Sequence, residues 1–280
     1  MADMGVTETT AGSFDYVSAM VQLELINKAI LYPTISSYSE QVPKGADSVK
    51  FPRFDSFSAQ DKTENSATTF QALTMAADQL ELSKHKHIPV RLEDIAGLQT
   101  VPDVEGAIVE RMASAMVAQW EDDIYAQLIL ASASNPDHRV EYASAATLAE
   151  ADILGAIELL DIQNVPASDR FLAVHPTQKR DLLEIDNFVQ ADRYGSSQPI
   201  QNGELGMAYG LKVVMSTAVT QDTSCIYHRS HVAFAAQMNM KFEKQRAPLD
   251  YLADDFSLST IYGVKVLDAG KRGVKLENAS

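Results

Sequence analysis

The sequence predicts an α+β fold, with one long helix, a projecting two-stranded loop and a run of short alternating elements. Three observations carry this. Val104, Ile108, Met112, Met116, Trp120, Ile124 and Leu128 recur every four residues. The segment from Asp78 to Leu92 presents two alternating faces, as a strand does. From Leu148 onward short helical and extended patterns take turns. The 280 residues are 46% hydrophobic and 22% charged, ordinary globular proportions. The length allows one large domain or two modest ones.

The elements follow in order. Met1 to Gly12 hold little that could be buried and read as an extended arm. Ser13 or Asp15 can cap a helix from Phe14 to Leu31, whose apolar residues Tyr16, Met20, Leu23, Ile26 and Ile30 step at three and four. Pro33 ends it. Pro43-Lys44-Gly45 signals a turn, and SVKFPRF marks a first strand whose Pro52 suits an edge or a bulge. Asp55 to Thr69 is polar and aperiodic. In the segment that follows, one face is Leu80, Leu82, Lys84, Lys86, Ile88, Val90 and Leu92. Its middle is polar on both faces, so it is expected to find its partner outside its own chain.

The long helix is expected over Val101 to Ala131, with Pro102, Asp103 and Glu105 in a favourable first turn and Asn135-Pro136 beyond its end. Such a helix is roughly 46 Å long, more than twice the usual globular length. Next come a helix over Leu148 to Gln163, a buried strand RFLAV (Arg170 to Val174) and a helix from Pro176 to Ile185. Asp186 to Pro199 reads as a loop. Strands are expected at Leu211 to Met215, Cys225 to Tyr227, Val232 to Ala236, and from Phe256 through Leu267, the last of them.

The composition excludes several functions. With 23 basic and 38 acidic residues the net charge is −15, which argues against a protein that grips nucleic-acid phosphates. The single cysteine, Cys225, allows no internal disulfide and no cysteine-based zinc site. The first ten residues lack the basic and apolar regions of a signal peptide, and no apolar run reaches the ~20 residues that span a bilayer.

The search for chemistry is equally spare. His85 and His87 share one strand face, and His228 and His231 stand three apart; both pairs lack a third ligand at metal spacing. GxSxG and HExxH are absent. Cys225 lies in an apolar stretch and reads as an inert core residue. Glu121-Asp122-Asp123 reads as a solvated helix face. Gly203, Gly206 and Gly210 fit neither the P-loop nor the dinucleotide fingerprint and read as a structural turn before a strand. No catalytic, cofactor-binding or metal residue is assigned. A binding or structural protein follows, with a cytosolic α/β enzyme of scattered acids and histidines as the rival.

The order of these elements resembles that of the major capsid proteins of tailed bacteriophages, the family with the HK97-like fold. RFLAVHPTQKRDLLE (Arg170 to Glu184) is similar to a strand-then-helix segment of that family. NGELGMAYGLKVVMS (Asn202 to Ser216) resembles its glycine-spaced stretch, and HVAFAAQ and YGVKVL resemble its returning strands. The resemblance implies an N-arm (1–42), an extended loop (43–95), a peripheral domain (96–147 and 221–280) with a spine helix (101–131), and an axial domain (148–220) in which Gly203, Gly206 and Gly210 shape a turn.

It further implies a subunit that self-assembles into hexamers and pentamers of an icosahedral head enclosing double-stranded DNA, without cofactor or catalysis. The implied location is the virion, with assembly in the bacterial cytoplasm. Implied partners are other copies of the chain, a separate scaffolding protein, a portal and decoration proteins, with no membrane. Some relatives crosslink a lysine and an asparagine, but spacing does not pair Lys62 with Asn278. An encapsulin-type nanocompartment shell shares the fold and is the alternative. The charge fits a shell: Val101 to Asp161 holds 12 acidic and two basic residues, −10 of the −15. If the spine helix lines the inner wall, like-charge repulsion would let packaged DNA slide.

Overall fold

A computed structural model of the chain describes residues 29–43, 45–54, 57–68, 70–94, 104–130, 137–142, 147–184, 207–247 and 252–278. Its elements are β1 (Ser36–Ser37), β2 (Ser48–Phe54), β3 (Met75–Glu81), β4 (Lys84–Glu93), α1 (Val104–Leu128), β5 (Arg139–Tyr142), α2 (Glu150–Ile162), β6 (Arg170–Val174), α3 (Pro176–Glu184), β7 (Met207–Ala208), β8 (Leu211–Met215), β9 (Thr223–His228), β10 (Val232–Ala247), β11 (Ala253–Val266) and β12 (Gly273–Asn278). The arm Met1 to Gly12 and nearly all of the helix expected over Phe14 to Leu31 lie outside the described residues. Just past that helix, Tyr32–Thr34 form one 3-10 turn.

Three sheets result. One runs β1-β10-β11-β4, one runs β5-β12-β9-β6-β8-β7, and β2 pairs with β3 alone. The 25-residue α1, about 38 Å long, packs between the first two sheets. Met112, Met116, Trp120, Ile124 and Leu128 are all buried, as the step of four requires. Val109, Ala113, Val117 and Tyr125 form a second buried column beside them. Both columns meet Phe234, Phe256, Leu258 and Tyr262 on one side and Phe171, Cys225 and Tyr227 on the other.

The other face of the six-stranded sheet is covered by Ile153, Ala156 and Leu160 of α2 and Leu182 of α3. That explains the unbroken burial of RFLAV. Phe171 and Ala173 point to the core around α1, while Leu172 and Val174 point to the core around α2. A strand covered on both faces needs no polar alternation.

The extended segment over Asp78 to Leu92 is two strands rather than one. The chain breaks at Leu82-Ser83 and changes sheets: β3 pairs with β2, and β4 pairs with β11. The in-out alternation keeps its phase across the break, so side-chain pattern alone could not reveal it. The polar middle of β4 also finds its partner within the chain. Lys84 to His87 lie opposite Ser259 to Tyr262 of β11. At the crossing, Gly263 of β11 meets the hairpin so closely that an added Cβ would fall 2.2 Å from the Glu81 carbonyl oxygen.

Three further strand features exceed the sequence reading. β10 runs on to Ala247, and β5 and β12 are additional. Along the outer stretches of β10, β11 and β4 one face is buried, with Phe242, Phe256 and Leu258, and charged pairs lie across the strands. Arg91 pairs with Asp255 across the strands at 2.5 Å, and Arg246 pairs with Asp254 at 3.1 Å, each matching the ladder register. Exposed pairs of this kind add little stability but disfavour a slipped register.

His231 stands just before β10 and is fully buried, its Nε2 lying 3.3 Å from the Leu128 carbonyl at the end of α1. Burial pushes its pKa down to about 4. The unfolded chain therefore binds a proton that the folded ring refuses between about pH 6.5 and 4, so stability falls as pH drops through that window. The urea midpoint of His231→Phe should lose this part of the acid slope; equal slopes in both proteins would contradict the assignment.

Candidate functional site

The hairpin β2–β3 is the most exposed part of the described chain. Its strands pair from Ser48↔Glu81 to Phe54↔Met75, joined by a connection over residues 55–74. Near the tip, Phe57 is 62% exposed and Phe70 is 91% exposed, with Phe54, Leu73 and Met75 also exposed. Apolar side chains grouped on one projection mark a contact surface.

The base of the hairpin is fastened firmly. Leu80 and Leu82 pack on Ala233, Ala235 and Leu267, with Phe51 against Tyr38 at 4.8 Å between ring centroids. Arg53 pairs with the carboxylate of Asp268, and the Asp268 N–H donates to Asp78 Oδ2 at 2.9 Å. That turn is strained: Asp268, Ala269 and Gly270 all have positive φ, at 53°, 50° and 79°. Contacts from both hairpin strands thus converge on one rigid turn.

A second knot fixes the chain where it leaves the N-terminal segment. Glu121 is only 5% exposed. Its carboxylate accepts the backbone N–H groups of Ile30 (3.0 Å), Leu31 (2.7 Å) and Tyr32 (3.2 Å), and the Ser216 hydroxyl at 3.2 Å. These amides open the 3-10 turn and form an anion-binding concavity. Thr34 extends the knot through a 2.6 Å hydrogen bond between its hydroxyl and that of Tyr227 on β9. Burial raises the Glu121 pKa above the usual carboxylate range, while the three amides and Ser216 pull it back.

Glu121-Asp122-Asp123 is therefore not a solvated face; Asp122 alone is exposed. Asp123 accepts from Tyr262 and pairs with Lys84 at 2.7 Å. The signal was present in the sequence: Glu121 completes the column Val109, Ala113, Val117, Tyr125 at steps of four. Much of the acidic charge on this stretch is likewise engaged internally. Glu105 pairs with Lys244 at 2.8 Å and Asp161 with Arg170 at 2.6 Å.

The remaining chemical candidates do not converge. Cys225 is fully buried, its thiol pushed up to about 12. His85 and His87 are exposed on β4 with ring centroids 6.4 Å apart. Among the described residues no group of three potential metal ligands forms. Gly203 and Gly206 lie outside the described residues. Gly210 sits in the two-residue turn between β7 and β8, where both Tyr209 (φ 53°) and Gly210 (φ 78°) are left-handed. That is the turn a tight hairpin prefers.

A family model described as phage capsid protein matches residues 90–274, which include the long helix α1, α2 and α3, and the strands from β5 through β11. The chain belongs to the phage capsid protein family. Its HK97-like fold is shared with solved structures at low identity. Mycobacterium phage Che8 matches with a TM-score of 0.73 at 19% identity, covering 89% of this chain and 91% of that one. The capsid of Cyanophage P-SCSP1u matches with a TM-score of 0.75 at 18% identity, covering 90% and 89%. A virus-like particle from Pyrococcus furiosus matches with a TM-score of 0.62 at 11% identity, covering 95% and 99%. Curated protein sequences give no significant match. In this capsid protein, a hairpin base held this tightly is the mount for a projecting element.

Removing the carboxylate tests this knot. Glu121→Ala strands the buried Leu31 N–H and two part-buried ones beside it, and should cost roughly 3–5 kcal/mol in denaturant unfolding. Because the folded pKa is raised, the stability Glu121 lends is fullest below about pH 4.5 and declines as pH rises through its folded value. The gap between wild type and Glu121→Gln should therefore narrow with rising pH; a gap that widens would refute the burial argument.

Proposed function

We propose that the chain is the major capsid protein of a tailed phage, assembling as hexamers and pentamers into an icosahedral head that encloses double-stranded DNA. Family membership makes it a structural protein of the virion, and we assign it no catalytic step. One observation carries the assembly reading. The hairpin places Phe57 and Phe70 in solvent, beyond cover from the other described residues, while its base is held by Arg53 and Asp268. A neighbouring subunit can bury those rings, and each ring is worth about 1.5–3 kcal/mol when covered.

The division proposed for the chain is an N-arm (1–42), an extended loop (43–95), a peripheral domain (96–147 and 221–280) and an axial domain (148–220). The two separate cores support two main bodies, one around α1 and one between α2 and the six-stranded sheet, but β5, β9 and β12 of the 96–147 and 221–280 segments share that sheet with β6 and β8. Residues 203–210 would shape the axial domain, with Gly210 in its turn. A scaffolding protein, a portal and decoration proteins are the proposed partners, with assembly in the host cytoplasm. DNA would be enclosed without base readout, against the acids of α1 and α2 that remain exposed.

An encapsulin-type compartment is the second reading, favoured by the full-length match to the Pyrococcus furiosus particle. Particles purified from expressing cells separate the two: packaged DNA selects the phage head, enclosed protein the compartment.

Electron micrographs of the purified chain should show closed shells or rings. Phe57→Asp combined with Phe70→Asp should leave far-ultraviolet circular dichroism unchanged and abolish closure. A wild-type chain that stays monomeric at all concentrations would sink the proposal.

A further inference from the structure

The turn that clamps the hairpin also walls a cavity. It lies between the end of α2, the β9–β10 turn and the loop before β12. Its volume is about 300 Å3, and its lining includes Asn164, His228, Ser230, Asp268, Lys271 and Arg272. At ~30 Å3 per water, it has room for a small hydrated ion.

Two of its three charged side chains, Lys271 and Arg272, are cations. His228 Nδ1 accepts the Ser230 backbone N–H at 3.2 Å, so the neutral ring carries its proton on Nε2. The Ser230 hydroxyl lies 2.8 Å from the same Nδ1 and accepts from Arg272 Nη1 at 2.9 Å. Asp268 is the carboxylate in the lining, and both of its oxygens are engaged. Arg53 holds Oδ1, and Arg272 approaches Oδ2 at 3.5 Å. Lys271 is exposed and forms no ion pair among the described residues. Arg170 stands nearby, with its own Asp161 partner at 2.6 Å.

We propose that this cavity binds a phosphate-class oxyanion, held by Lys271, Arg272 and the Nε2–H of His228. Lys271 and Arg272 face one lining carboxylate, Asp268, which Arg53 and Arg272 already engage. Burial first, then Arg272, holds the His228 pKa below the usual imidazole value; Asp169 opposes this, and Arg170 adds a lesser pull downward. A bound oxyanion would join two segments distant in sequence, the end of β9 and the loop before β12 that holds the strained turn under the hairpin. By mass action it would stabilise the fold, growing with the logarithm of its concentration above Kd. The oxyanion can come from free phosphate or from a phosphodiester.

Calorimetric titration of the full chain at fixed ionic strength tests this, with inorganic phosphate, a short DNA duplex and chloride as probes. Saturable binding of phosphate, near one per chain, is expected, with a rise in thermal midpoint. Lys271→Ala removes an exposed side chain and should weaken binding about tenfold, the loss of one charge-assisted contact. Saturation by phosphate assigns a free anion; saturation by the duplex alone assigns a phosphodiester. A response no different from chloride, or one unchanged in Lys271→Ala, overturns the proposal.

Discussion

A single buried carboxylate organises this subunit. Glu121 faces inward from the middle of the long helix, and its oxygens gather three successive backbone amides from the chain's N-terminal segment and a hydroxyl following β8. Without that acceptor the buried Leu31 amide would be unpaired, at about 1–3 kcal/mol, and its two part-buried neighbours would lose their partner. The charge is costly to bury, and the four donors offset that cost only because they converge. One side chain thereby ties the helix to residues 30–32 and to the six-stranded sheet. The four-stranded sheet joins through Trp120, one residue earlier, whose ring lies 5.0 Å from Phe234 and 5.5 Å from Tyr262.

Rigidity at these junctions has a reason in assembly. A shell subunit must project flexible or apolar elements without losing the angle at which they leave the body. Here the hairpin departs from a turn with three successive left-handed residues, gripped from both strands. The Gly263 crossing permits the closest approach of hairpin to sheet that a backbone allows. Strain and close contact together leave the hairpin base few alternative orientations. The exposed tip then meets its neighbour with little entropy left to lose at its root.

Much of this was legible in the sequence. The step of four from Met112 to Leu128 located the helix and its inward stripe, and RFLAV announced a strand covered on both sides. What escaped notice has physical causes. The break at Leu82-Ser83 preserves the two-residue phase, so nothing in the pattern marks a change of sheet. The outer halves of β10 and β11 read as polar because only one face is buried, by Met240, Phe242, Phe256 and Leu258, while the other carries charged cross-strand pairs. Glu121 was misjudged because a charged residue inside a triplet of acids looks solvated until its column is followed to Val117 and Tyr125. Of the glycines singled out, Gly210 has a backbone requirement in the described chain: a left-handed turn position.

Cys225 adds a practical consequence. It is the only thiol in the chain, and it lies wholly buried where α1 meets the six-stranded sheet. Thiolates, not thiols, react with disulfide reagents, and burial keeps this group protonated far above neutral pH. An intact subunit is therefore silent to such reagents, in a shell or alone. Any labelling counts the moments when helix and sheet separate, so the rate of colour development becomes a clock for the opening of the core.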